Sequence, residues 1–292
     1  MKLEIGNWEE HKDVNVLPNF KFRISSFTLA MNIVVCIKQV PDAKTVRFDT
    51  EKGTLVREGV EAVINPFDFH ALEAGLQLRD TYGGKVTVLS MGPPQAENAL
   101  KEALSLGADK GILLSDRAFA GADTLATTYT LAKAIEKLGS VDLVLCGKQA
   151  IDGDTAQVGP GLAVRLGLPY VTCVNALSVL DDRKTMHLRR VNEDGYDMLE
   201  LEMPALLTVL ASLNTPRLPS LKGKMRAKKA EIPVWGASEL GAKPDMVGLA
   251  GSATQVVSTS VPSFEARREM LEGSAEEQVE ALVSRFKEAG IL

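Results

Sequence analysis

From Met31 to about residue 176, short continuous apolar runs alternate with segments whose apolar residues recur every three or four positions. The continuous runs are typical of strands buried on both faces, and the spaced segments are typical of amphipathic helices. The predicted strands are 32–37, 85–91, 110–114, 141–145 and 170–174, and the predicted helices are 66–82, 93–106 and 123–138, with one more after residue 154. Repeated β-α units with short turns predict an α/β fold: an open, mostly parallel twisted sheet with helices on both faces.

The pattern changes to short alternating strands after Ala176. Strands 184–191 and 196–202 flank a hairpin turn at 192–195, and residues 204–210 indicate one more buried strand. A second, polar hairpin is indicated around residues 49–53. Beyond Asn214, prolines interrupt a basic stretch, so we expect the chain to leave the core there. A final amphipathic helix, 275–289, carries Val279, Leu282, Val283 and Phe286 along one face and needs a surface to lie on.

These patterns divide the chain into three parts. Residues 1–30 show no sustained periodicity and no signal-peptide architecture, so we interpret them as a disordered extension or a mis-assigned start. Residues 31–215 form the predicted α/β domain, and residues 216–292 form an extended C-terminal arm.

Composition and charge exclude several classes of function. The 33 basic and 38 acidic residues leave a net charge of -5, which argues against nucleic acid as a partner. No apolar stretch reaches the roughly 20 residues needed to cross a bilayer, so no membrane insertion is expected. Cys36, Cys146 and Cys173 lie in apolar runs without metal-ligand spacing, which indicates buried thiols in a reducing, cytoplasmic location. The histidines are too scattered to indicate a catalytic or metal site.

The segment 141–160 carries the strongest indication of chemistry. A buried strand runs into a loop containing Gly147 and Gly153 and then into a helix that Asp154 or Thr155 can cap. Such a joint presents unpaired backbone N–H groups to an anion, and a nucleotide phosphate is the natural ligand. The segment is neither a P-loop nor a Rossmann fingerprint, and an ordinary strand-to-helix turn is the alternative interpretation.

Four segments together resemble the β subunit of electron transfer flavoprotein. They are V-V-C-I-K-Q-V-P-D at 34–42, N-P-F-D at 65–68, G-K-Q-A-I-D-G-D at 147–154, and P-R at 216–217 followed by Leu221 and M-R-A-K-K at 225–229; residues 190–204 also resemble the family's signature region. The resemblance implies a heterodimer with an α subunit that holds FAD, while this subunit binds an adenine nucleotide.

The resemblance also implies the cofactor-binding residues, all at strand ends or in the turns that follow them, where open α/β sheets bind ligands. They are Cys36, Asn65, Pro66, Phe67, Asp68, Met91, Gly147, Lys148, Gln149, Ala150, Ile151, Asp152, Gly153, Asp154, Thr155, Ala156, Gln157 and Val158. Asn65 either contacts the nucleotide or only caps its helix. No catalytic residue is implied, because the cofactor carries the electron chemistry.

Ala156 and Val158 stand where family members that bind AMP usually carry polar residues. The sequence 152–160 is similar to members that hold a second FAD and bifurcate electrons from NADH. We therefore expect FAD in this subunit, with structural AMP as the alternative. The expected acceptors are an acyl-CoA or similar dehydrogenase and a ferredoxin or flavodoxin.

The resemblance assigns partner docking to Leu221, with Arg217, Lys228 and Lys229 beside it, in a loop that anchors a leucine in a dehydrogenase pocket. An ordinary surface leucine is the alternative. Two other functions remain open on the residues alone. One is a non-redox adenine-nucleotide sensor of the universal-stress-protein kind, and the other is a structural subunit stabilised by its nucleotide.

Overall fold

A computed structural model of the protein describes residues 30–42, 47–49, 54–56, 62–258 and 268–292, with only the backbone described at 47–49 and 54–56. Except for Ala30, the predicted N-terminal extension lies outside the described residues.

The chain folds around one nine-stranded sheet. The strands are β1 Met31–Cys36, β2 Gln39–Pro41, β3 Arg47–Asp49, β4 Thr54–Val56, β5 Ala62–Ile64, β6 Gly84–Met91, β7 Lys110–Leu114, β8 Leu143–Gly147, β9 Tyr170–Val179, β10 Thr185–Asn192, β11 Gly195–Glu202, β12 Ala205–Val209 and β13 Val234–Trp235. The helices are α1 Pro66–Tyr82, α2 Glu97–Leu106, α3 Thr124–Leu138, α4 Val158–Leu166, α5 Leu221–Lys229 and α6 Ala275–Glu288.

The sheet has the order β11-β10-β9-β12-β8-β1-β6-β7-β13. Within this sheet, the strands in the order β9-β12-β8-β1-β6-β7-β13 are parallel to their neighbours, whereas β10 pairs antiparallel with β9 and with β11. The remaining described strands form two separate antiparallel pairs, β2 with β5 and β3 with β4. Strand β1 lies between β6 and β8, because the chain winds first to one side of β1 and then to the other. The predicted open, mostly parallel sheet is confirmed.

Helices cover both faces of the sheet, as predicted. One core contains α1 and α2, with Leu72, Leu76 and Leu100 among its fully buried side chains. The other contains α3 and α4, with Ile135 and Leu162 buried against the opposite face. The strands between them are apolar on both sides, which explains their continuous apolar runs.

Two predicted boundaries differ from the structure. The helix predicted for 93–106 begins only at Glu97, after a 3-10 turn at Pro94–Ala96, because Pro94 disfavours the helical conformation at Pro93, whose backbone is extended. The chain was expected to leave the core after Asn214, but this is wrong, because it keeps contact with the core up to Val247. Strand β13 pairs with β7, and Ala227, Leu240 and Val247 are buried.

The terminal helix α6 is confirmed, and its start has a local cause. Ser274 and Glu277 form a reciprocal capping box. Its apolar face is exposed, since Val279, Leu282, Val283 and Phe286 retain between 37% and 59% of their accessible surface. None of the described helices is long and apolar enough to cross a membrane.

Candidate nucleotide site

A cavity of about 860 Å³ opens at the carboxyl ends of β1, β6, β7 and β8. Strand order reverses at β1, so the loops after β1 and β8 diverge and leave a crevice between them. This is the position at which open α/β sheets bind ligands, and the cavity volume lies within the range of about 300–1,000 Å³ that suits small organic ligands.

Asp68, in the first turn of α1, ties the two strand ends together. Its Oδ2 accepts a hydrogen bond from the Lys38 backbone N–H at 2.7 Å, and its Oδ1 accepts one from the Gly147 N–H at 3.2 Å. Gly147 is required by this approach, because a Cβ atom there would lie 2.4 Å from Asp68 Oδ1. Burial raises the pKa of Asp68 to about 7, although the hydrogen bonds from Lys38, Asn65 and Gly147 and the Lys38 charge oppose this rise.

Asn65 holds the loop after β8 through both ends of its side-chain amide. Nδ2 donates to the Gln149 carbonyl at 2.8 Å, and Oδ1 accepts from the Ile151 N–H at 3.1 Å. The residue is fully buried and occupies the cap position of α1 without forming a side-chain cap. The Asn65 amide does not cap α1 but positions this loop, and its contact with a nucleotide stays a prediction.

The loop itself reaches α4 through strained backbone. Asp154 and Ala156 both have φ of 54°, a left-handed conformation that costs a non-glycine residue free energy. Gly153, by contrast, needs no special conformation, and a Cβ atom there would meet nothing within 4 Å.

The predicted cap of α4 by Asp154 or Thr155 is wrong. The cap position belongs to Gln157, and none of the described side chains bonds the N–H groups of Val158 or Gly159 at the start of α4. The Gln157 side chain instead accepts a hydrogen bond from Thr124 Oγ1 at 2.8 Å, and Asp154 accepts one from Gln149 Nε2. An uncapped helix start beside the cavity leaves backbone donors for an anion.

The structure brings most of the predicted residues to the cavity. Lining it are Cys36, Asp68, Met91, Gln149, Ala150, Gly153, Asp154, Thr155, Ala156, Gln157 and Val158. The remaining predicted residues, Asn65, Pro66, Phe67, Gly147, Lys148, Ile151 and Asp152, do not line it. Some of these residues contact residues that do line it. Asp152, for example, forms a 2.7 Å ion pair with Lys38, which lines the cavity.

Sequence reasoning missed the segment 115–124, which forms the opposite wall. This segment follows β7 and leads into α3, so its position at the carboxyl edge of the sheet was available from the predicted strand order. It contributes Arg117, an exposed cation to which the described part of the chain offers no ion-pair partner.

The two carboxylates of this wall are occupied by backbone donors. Asp116 accepts hydrogen bonds from the N–H groups of Ala118 and Ala237, and Asp123 accepts them from Ala126, Ala253 and Thr254. These bonds hold the pKa of both carboxyls below the usual value, against a desolvation effect that raises it. Asp123 also caps α3.

A family model for the electron transfer flavoprotein domain matches residues 52–240. The chain belongs to this family. It is 50% identical over 258 residues to the electron transfer flavoprotein subunit beta of Clostridium acetobutylicum, which covers 88% of this chain and 98% of that protein. It is 47% identical over 264 residues to subunit CarD of the caffeyl-CoA reductase-Etf complex of Acetobacterium woodii, covering 90% of this chain and all of CarD.

A third relative is protein FixA of Azorhizobium caulinodans, 46% identical over 263 residues, with 88% of this chain and 94% of FixA covered. These similarities confirm the predicted family and argue against the adenine-nucleotide sensor.

The segment predicted to dock a partner is a helix in this electron transfer flavoprotein chain rather than the predicted loop. Leu221 is the first residue of α5 and is 77% exposed. Gly223 brings the helix against α2, since a Cβ atom there would lie 2.1 Å from the Ser105 carbonyl oxygen. Lys228 and Lys229 are exposed at the far end of the helix.

Arg217 is engaged within the subunit. Its guanidinium forms ion pairs at 2.8 Å with Glu73 and at 2.8 Å with Asp80, both on α1. Glu73 is only 5% exposed, and leaving such a carboxylate unpaired would be costly. Arg217 therefore fixes the segment that precedes Leu221 to the body of the subunit.

Proposed function

We propose that this β subunit pairs with an electron transfer flavoprotein α subunit, holds FAD in the cavity described above, and bifurcates electrons from NADH. The observation that carries the proposal is the cavity at the reversal of strand order. It is bordered by the uncapped start of α4 and by Arg117.

The lining residues fit a nucleotide diphosphate. The N–H groups of Val158 and Gly159 at the start of α4 and the Arg117 guanidinium offer positive charge to phosphate oxygens. Asp116 and Asp123 keep their negative charge, so a phosphate would bind nearer to Arg117 and the start of α4 than to these carboxylates. Met91 and Gly92 line the cavity after β6 and provide an apolar surface for an adenine ring.

Two features favour FAD over AMP. Ala156 and Val158 line the cavity, so small apolar side chains stand where polar groups could bond a terminal phosphate. The volume of about 860 Å³ lies near the upper end of the range for small-molecule sites, as a dinucleotide requires.

When bound, the flavin supplies the one- and two-electron chemistry, and the residues of this chain bind it, orient it and exclude water. In the proposed function NADH is the donor. The acceptors are an acyl-CoA or similar dehydrogenase, reached through the α subunit, and a ferredoxin or flavodoxin. The exposed apolar face of α6 is suited to packing on the α subunit.

Nucleotide analysis of the co-expressed heterodimer tests this function. We expect two FAD per heterodimer and reduction of both flavins by NADH. One FAD per heterodimer, with AMP released on denaturation, would refute bifurcation and establish the structural-nucleotide alternative.

Replacement of Arg117 by glutamine should weaken nucleotide binding. Loss of a charge-assisted hydrogen bond to phosphate costs about 2 kcal/mol, or roughly thirtyfold in Kd, and the dependence of Kd on salt should become shallower. Titration of the stripped heterodimer with FAD measures the change. Arg190→Gln is the control, because Arg190 is exposed but lines no part of the cavity. Equal affinity in both variants would remove Arg117 from the site.

Replacement of Leu221 by alanine should slow electron transfer to the partner dehydrogenase about tenfold at limiting partner concentration, because a central apolar anchor carries much of an interface's free energy. Leu218 provides the control, since it is 90% exposed and lies only three residues earlier. Leu218→Ala should change the rate little. The docking role fails if the two variants behave alike in steady-state assays with the purified dehydrogenase.

A further inference from the structure

Two thiols meet at the floor of the cavity. Cys36 ends β1 and Cys146 lies in β8, and the two residues are direct register partners of adjacent parallel strands. Neighbouring strands lie about 4.8 Å apart, and both side chains point to the same face of the sheet, into the core with α3 and α4.

The neighbouring Cys36 side chain, together with burial, raises the pKa of the Cys146 thiol well above its usual value. Both cysteines are free rather than disulfide-bonded. They are 8% and 5% exposed, and both line the cavity. The pair is thus shielded from bulk solvent but open to a small molecule that enters the nucleotide cavity.

No third ligand joins the pair to make an ordinary metal site. Within the described residues, no group of three or more His, Cys, Asp or Glu side chains is arranged to hold a metal ion. Asp68 is near enough for its charge to raise the pKa of Cys146, but its oxygens are occupied by the Lys38 and Gly147 N–H groups. The site therefore suits a soft centre that needs two sulfur ligands only.

We propose that Cys36 and Cys146 form a dithiol site for trivalent arsenicals, and that an arsenical bound there prevents a nucleotide from entering the cavity. With phenylarsine oxide, two As–S bonds replace the As=O bond, and the oxygen leaves as water with the two thiol protons. The arsenic remains trivalent, so the step requires neither an oxidant nor a reductant.

The raised pKa of Cys146 should also make the site react poorly with reagents that modify a single thiol. A thiol that stays protonated at neutral pH is a poor nucleophile toward alkylating reagents, which react with thiolate. Iodoacetamide should therefore label Cys146 slowly in the folded protein. Cys173 is partly exposed on β9 and outside the cavity, so it provides an internal comparison.

The test uses phenylarsine oxide on the nucleotide-stripped heterodimer, followed by intact mass measurement and mapping of the linked peptides. We expect an adduct with the mass of the reagent less one water that joins the peptides of Cys36 and Cys146. It should be lost in Cys36→Ser and in Cys146→Ser and be retained in Cys173→Ser. Peptide mapping of the unsubstituted protein identifies the bridged residues even if a serine variant folds poorly.

Absence of a bridged Cys36–Cys146 adduct in the unsubstituted protein would overturn the dithiol site. So would an adduct that survives in folded Cys36→Ser. That the bound arsenical keeps FAD out of the cavity rests on the proposed nucleotide site. This effect is measured separately, as the FAD affinity of the arsenical-treated heterodimer. Unaltered FAD affinity with a bridged adduct would place the nucleotide elsewhere, leaving the dithiol itself established.

Discussion

Replacing Gly147 by alanine is expected to destabilise the subunit by about 3 kcal/mol and to abolish nucleotide binding. The new Cβ atom would lie 2.4 Å from Asp68 Oδ1 and 2.7 Å from both the carbonyl carbon and the Cβ atom of Phe67. These atoms belong to the first turn of α1, which is packed on the sheet, so the helix must shift to relieve the contact. The shift would break the hydrogen bond from Gly147 N–H to Asp68.

The matched control is Gly153→Ala in the same loop. Its Cβ atom would meet nothing within 4 Å, and its backbone does not need the left-handed conformation. We expect a change in the free energy of unfolding within about 0.5 kcal/mol. Urea denaturation measures the free energy of unfolding of both variants. Similar values for the two would show that the close approach to α1 does not require a glycine at position 147.

Replacing Asp68 by asparagine is expected to remove a pH dependence of about 4 kcal/mol from the stability of the subunit. The ordinary pKa of an aspartate is 3.8, and burial raises that of Asp68 to about 7. Between these values the folded protein keeps a proton that the unfolded chain has released. The free energy of unfolding therefore falls as pH rises toward the folded pKa, and the group contributes no further change above it.

Asparagine does not ionise, so the variant should show a flatter profile between about pH 4 and pH 7. It will also lose one of the two backbone hydrogen bonds from Lys38 and Gly147, since an amide has only one acceptor oxygen, and this lowers stability by a nearly constant amount. Denaturation curves across this range measure the slope. Asp182→Asn is the control, because hydrogen bonds at a surface turn lower the pKa of Asp182. An unchanged slope in Asp68→Asn would mean that another group titrates.

Both predictions concern one physical arrangement. Asn65 lies at the cap position of α1 and holds the loop after β8. Asp68 lies in the first turn of α1 and holds the ends of β1 and β8. The segment N-P-F-D at 65–68 is thus mainly a brace for the cavity, with Asp68 alone reaching its surface. Changes at Asn65 should act through the order of residues 149–151 rather than through a lost ligand contact.

Much of the fold was predictable because it depends on local periodicity. Strands β6 and β7 and helices α1 and α3 lie within one residue of the predicted bounds. Their boundaries are local, since prolines, glycines and capping residues terminate them. The segment after Asn214 was misjudged for the opposite reason. Val234 and Trp235 form an edge strand only because β7 is there to pair with them.

The sequence by itself determined the parallel α/β architecture and the family, because continuous apolar runs and short motifs are local properties of the chain. Only the tertiary structure decided which side chains reach the cavity. It placed Arg117 opposite the start of α4, turned the Asn65 amide toward the loop, and set Cys36 beside Cys146. These pairs are separated by dozens of residues along the chain, and strand order and register, which no local pattern encodes, bring them together.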